Sequence, residues 1–131
     1  MGKTYLLDSN IIIYLLNGTL SAEDSPSVSK AMTSPANLSV ITKIEILGWP
    51  ALTGSGKEKM ITFIEDSSLH GLSEEVVEKT IELRRKIKIK LPDAIIAATA
   101  LVYGHIILTR NTSDFAKIDS LQVINPFEEQ P

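Results

Sequence analysis

The feature that most restricts this chain is a repeated alternation of short apolar segments with segments spaced for helices. Residues 4–7 are apolar and read as a strand, and Asp8-Ser9-Asn10 interrupts them with turn and N-cap chemistry. Residues 11–16 then form an apolar run. Its β-branched start suits a strand, the cap residues before it suit a short helix, and periodicity leaves both open. The polar stretch 17–26, with Gly18, predicts a loop leading to a helix over 26–33.

A second strand is expected over 37–41. Thr42 and Glu45 then form a Thr-x-x-Glu capping box opening a helix that Gly48 and Pro50 stop. Residues 54–56 predict a loop, 57–66 a helix with Met60, Ile61 and Ile64 on one face, and 69–72 a third strand. Ser73 caps an amphipathic helix over 74–87, and residues 94–102, apolar almost all round, predict a helix buried between layers and ended by Gly104. Strands over 106–109 and 122–124 complete the set. Such alternation predicts an α/β fold, with a mainly parallel central sheet flanked by helices on both faces. The 131 residues fit one domain spanning 1–131, without internal repeat or long linker.

Composition removes several chemistries. There is no cysteine, which excludes disulfides, thiolate metal sites and thiol nucleophiles. No apolar run reaches the length needed to cross a bilayer, and the N-terminus lacks the layout of a signal peptide, so a cytoplasmic protein is expected. The formal net charge of -3 argues against a general nucleic-acid binder, yet a carboxylate-centred enzyme also looks acidic until its cation is counted.

Ligands of open parallel sheets bind beyond the carboxyl ends of the strands. Asp8 follows the first expected strand, Glu45 lies a helical turn beyond the second, and Asp114 lies a few residues after the 106–109 strand. Asp93 follows no strand but opens the buried helix after Pro92. Singly, each has an ordinary explanation: Asp8 as a helix cap, Glu45 as half of a capping box, Asp93 as a partner of the helix dipole, and Asp114 as a loop acid. Together they suggest more. Clustered carboxylates repel unless a cation neutralises them, and hard oxygen ligands suit Mg²⁺ or Mn²⁺. With histidine only at 70 and 105, both read as ordinary surface or core residues, a zinc site has no support.

Four segments carry a family resemblance: Leu6-Leu7-Asp8-Ser9-Asn10, Ile41-Thr42-Lys43-Ile44-Glu45-Ile46-Leu47-Gly48, Leu91-Pro92-Asp93-Ala94-Ile95-Ile96-Ala97-Ala98-Thr99-Ala100 and Leu108-Thr109-Arg110-Asn111-Thr112-Ser113-Asp114-Phe115. In order and spacing they resemble the motifs of PIN-domain ribonucleases, and most of all the VapC-type toxins of toxin–antitoxin pairs. The resemblance implies that Asp8, Glu45, Asp93 and Asp114 are the catalytic acids, with Asp8, Asp93 and Asp114 as metal ligands. Asn10, Thr109 and Asn111 would be supporting polar groups, a role that competes with ordinary turn and cap roles. It further implies an RNA substrate, Mg²⁺ or Mn²⁺ as cofactor, a cognate antitoxin protein as partner, and a homodimer.

Substrate contacts are expected from Arg84, Arg85, Lys88, Lys90 and Arg110, with Lys43 and Lys86 as further candidates; the alternative is a solvated basic helix face. Two rivals stand beside the nuclease. One is a phosphatase or receiver domain phosphorylated on Asp8, which has Asn10 where the phosphatase would have a second aspartate. The other is a non-catalytic PIN-like RNA- or protein-binding module. Ser9 has no histidine near it in sequence, so a serine hydrolase lacks support.

Overall fold

The computed structural model describes residues 2–129. In chain order they form β1 (Thr4–Leu7), α1 (Ser9–Leu16), α2 (Pro26–Ala31), β2 (Asn37–Ser39), α3 (Val40–Leu47), α4 (Gly54–Glu65), β3 (Ser68–His70), α5 (Glu74–Lys86), α6 (Leu91–Tyr103), β4 (His105–Leu108) and β5 (Val123–Ile124). Two 3₁₀ turns, Thr112–Phe115 and Pro126–Glu128, flank β5.

All pairings in the five-stranded sheet are parallel, in the order β3-β2-β1-β4-β5. Side chains alternate across it. Tyr5 and Leu7 pack with Ile11, Ile12, Val28, Leu38 and Ile46 on one face, whereas Leu6 packs with Val76, Ile96 and Ile107 on the other. Each central strand is therefore buried on both sides, which is why its sequence is continuously apolar. Helices α1, α2 and α4, with Ile46 of α3, supply the first layer; α5 and α6 supply the second. The fold is thus the expected α/β arrangement.

Local chemistry explains the boundaries, including those that differ from expectation. The 11–16 run is helical because the Asp8 side chain accepts from Ser9 N–H and caps α1. The second strand ends at Ser39, not Ile41. Ser39 accepts from Ile41 N–H and starts α3 three residues before Thr42. The Thr42–Glu45 capping box is therefore absent: Thr42 lies inside the helix, fully buried, its hydroxyl without a hydrogen-bond partner. Residues 54–56 are not a loop but the first turn of α4, which Gly54 enters at φ 62°. Helix α5 is capped by Ser73 as expected, and α6 ends at Gly104 in the left-handed conformation, φ 72°. The turn carrying Asp114 has no counterpart in the sequence reading.

Candidate active site

In this strand order the chain reverses direction between β1 and β4, since β2 and β3 lie to one side of β1 and β5 beyond β4. The crevice beyond the carboxyl ends of those two strands is where such sheets bind ligands. Asp8 leaves β1 there and its N–H donates to the Leu108 carbonyl at 3.1 Å. Thr109, fully buried at the end of β4, donates from Oγ1 to Asp8 Oδ2 at 2.8 Å, while Asn111 N–H donates to that same Oγ1 at 3.0 Å. The orientation of the Asp8 carboxylate is thus set by a residue 101 positions away.

Glu45 comes from the middle of α3. Freed of any capping duty, it accepts from Ser9 Oγ at 2.7 Å. Asp93 stands in the first turn of α6, where the helix dipole favours a negative charge, and Asp114 is carried by the 3₁₀ turn after β4. These four acids, with Ser9, Asn10, Tyr14, Trp49 and Asn111, line one cavity of about 500 Å³. Asp93, the acid with no strand before it, is brought in by α6 packing along the sheet. Among the described residues, no group of three or more histidine, aspartate or glutamate side chains already forms a metal-holding cluster. The acids ring an open cavity instead of closing a cage.

Their charges nevertheless affect one another. Burial raises the Asp8 carboxyl above the usual range, hydrogen bonds from Thr109 and Ser9 pull it back, and repulsion from Asp114 pushes it up again. Asp93 is raised by burial and by repulsion from Asp114, Asp8 and Glu45, with Lys90 opposing.

A second groove, of about 550 Å³, shares Asp93 and Asp114 with the acid cavity and is lined by Arg84, Lys88, Lys90 and Lys117, with Ile87 and Ile89 between them. The expected substrate residues therefore divide. Arg84, Lys88 and Lys90 face this groove, whereas Arg85 is exposed on α5 away from it. Lys86 pairs with Glu82 at 3.0 Å, and Lys43 lines a separate recess beside α4. The Arg110 guanidinium lies 4.5 Å from the Phe127 ring centre and 5.5 Å from that of Tyr14, and donates to the Tyr14 hydroxyl. Sequence reasoning missed Lys117, an isolated cation, and the orienting role of Ser9, which depends on helix α3 approaching α1. His70 and His105 do not line the acid cavity; their Nε2 atoms lie 3.1 Å apart, and Tyr103 stacks on His70.

Fold and site together define a parallel α/β protein that collects carboxylates at its central strand ends. The sequence pattern of the PIN domain matches residues 5–121. The chain is 33% identical to Ribonuclease VapC of Rickettsia bellii, an alignment covering 91% of this chain and 93% of that protein. Among solved structures, a toxin–antitoxin complex from Klebsiella pneumoniae contains a chain 31% identical, with a TM-score of 0.76 over 95% of this chain and 99% of the other. VapBC-1 from nontypeable Haemophilus influenzae, at 23% identity and a TM-score of 0.76, covers 93% and 97% and shares the fold. The chain belongs to the PIN-domain family. Within that family its place is among the VapC toxins of toxin–antitoxin systems.

Proposed function

We propose that residues 1–131 form one PIN-like nuclease domain, a metal-dependent endoribonuclease hydrolysing RNA phosphodiester bonds as the toxin of a toxin–antitoxin pair. The observation that carries this reading is the convergence of Asp8, Glu45, Asp93 and Asp114 on one cavity at the reversal point of the sheet. The donors fit a hard divalent cation: the cavity offers carboxylate, amide and hydroxyl oxygens, and no thiolate or imidazole. Burial and, after it, mutual repulsion raise Asp8 and Asp93, and bound positive charge offsets both.

In this reading Asp8, Asp93 and Asp114 hold Mg²⁺, for which Mn²⁺ can substitute, and Glu45 completes the catalytic set. The chemistry such an ion supplies is activation of a water and neutralisation of charge on the phosphoryl oxygens. Thr109 and the Ser9 N–H hold the Asp8 carboxylate in one orientation, and Ser9 Oγ does the same for Glu45. Asn10 and Asn111 offer amide groups at the rim for water or a phosphate. Arg84, Lys88, Lys90 and Lys117 draw the polyanionic strand against the acids, which alone would repel it. The partner in this reading is an antitoxin protein, as in the complexes of the structural relatives, and the family resemblance adds a cytoplasmic homodimer as the working form.

Incubating the chain with labelled RNA and Mg²⁺ or Mn²⁺ tests the reading. Cleavage is expected, and is expected to be lost both with EDTA and in Asp93→Asn. Cleavage surviving both controls defeats the mechanism, and trapping phosphate on Asp8 would favour the phosphatase rival.

A further inference from the structure

The walls of the acid cavity are unlike one another. Asp93 and Asp114 form the boundary with the cationic groove, whereas Trp49 and Ile13 form the boundary with an apolar recess of about 250 Å³. Trp49 is the only tryptophan of the chain and is 46% exposed, and of the exposed large apolar side chains among the described residues it is the one that lines the acid cavity. Its position is constrained. Its backbone N–H donates to the Ile46 carbonyl, Pro50 follows it, and Gly48 before it has no room for a side chain, since a Cβ there would lie 2.6 Å from the Ile44 carbonyl oxygen. An indole held open beside four carboxylates adds nothing to binding a metal or a phosphate. It presents a flat apolar face where the neighbours of a bound phosphate come to lie.

Single-stranded RNA supplies the matching groups. Its phosphates suit the cations of the groove, and its unpaired bases stack on aromatic faces. We propose that Trp49 is a substrate-binding residue on which a nucleobase flanking the scissile phosphate stacks, with Leu52 and Met60 extending the apolar floor and Asn17 and Lys59 at its edge. This rests on the nuclease reading for its substrate. It adds the direction of the strand: cationic groove, acids, then indole. It also adds a requirement for bases as well as phosphates on the Trp49 side.

The sole indole makes the test direct, and EDTA separates binding from cleavage. The full chain is titrated with a single-stranded oligoadenylate, and with an abasic oligonucleotide of equal length and charge. Quenching of Trp49 emission by the oligoadenylate and not by the abasic strand is expected. Fluorescence anisotropy of labelled oligoadenylate should show about tenfold weaker binding to Trp49→Ala, and binding by Trp49→Tyr close to that of the parent. With Mg²⁺ restored, Trp49→Ala should raise KM while kcat changes less. Equal quenching by both strands, or unchanged binding by Trp49→Ala, overturns the proposal and leaves the indole as a surface for a protein partner, while metal-dependent cleavage would keep the nuclease reading intact. Failure to bind either strand overturns the proposal as well. Only cleavage that survives both EDTA and Asp93→Asn would remove the nuclease itself.

Discussion

At the scale of single residues, the orientation of Asp8 depends on Thr109. The Thr109 hydroxyl both donates to the carboxylate and lowers the pH at which it protonates. Thr109→Val keeps the shape and removes that donor. Burial and Asp114 then act with less opposition, so Asp8 takes up its proton at a higher pH. Cleavage at neutral pH is expected to fall by roughly 10- to 100-fold, the usual loss when a group supporting a metal ligand is removed. The acid limb of the pH–rate profile should move to higher pH. A lower rate with an unmoved limb would show that Thr109 only fills space. The family resemblance marks Thr109 as a supporting polar group, but not which acid it holds, because nothing local in a sequence connects positions 8 and 109.

At the scale of elements, the helices of strong period are readable, and so is the short α2 that Pro26 opens, whereas α1 stays ambiguous and α3 is placed too late. The spacing of Val76, Thr80 and Leu83 describes α5 because those residues are buried at helical intervals, and the all-round apolar character of α6 reflects its place between α5 and the sheet. Helix α3 was misplaced at its start because Val40 and Ile41 resemble strand residues, while the Ser39 cap decides the matter through one hydrogen bond. That error also gave Glu45 a structural duty it does not have. The Asp114 turn lacked any periodic signal, being only four residues long. At the other end of α3, Gly48 sets where the helix stops and so where both Glu45 and Trp49 stand. Gly48→Ala drives a methyl group into the Ile44 carbonyl. The expected cost is about 1–3 kcal/mol in urea unfolding, together with reduced cleavage. A variant with parent stability and activity would show that the end of α3 adjusts freely.

At the scale of the whole molecule, folding sets the acids of the cavity where burial first and mutual repulsion second disfavour their charge. The Asp93 carboxyl is raised on folding, so its contribution to stability is complete below the unfolded-state pKa and is lost as pH rises through the folded one. In EDTA at neutral pH, Asp93→Asn is therefore expected to melt at a higher temperature than the parent, and the gap should close as the pH is lowered past the carboxylate range. Adding Mg²⁺ should reverse the order. A bound ion stabilises the parent by about 2.7 kcal/mol at a hundred times its dissociation constant, and stabilises the variant much less. Identical melting curves with and without Mg²⁺ would count against these acids as its ligands.

The pairing of β1 with β4 joins residues about a hundred positions apart, with Thr4 opposite His105 and Leu7 opposite Leu108. Contacts so distant form late, and a nascent chain gains them only once its far end has left the ribosome. An incomplete polypeptide that stops before β4 has Asp8 but neither the Thr109 hydroxyl that steers it nor the turn bearing Asp114. On the proposed nuclease reading, abandoned translation products are therefore expected to be inert, and a chain ending before β4 should leave labelled RNA uncut where the finished chain cleaves it.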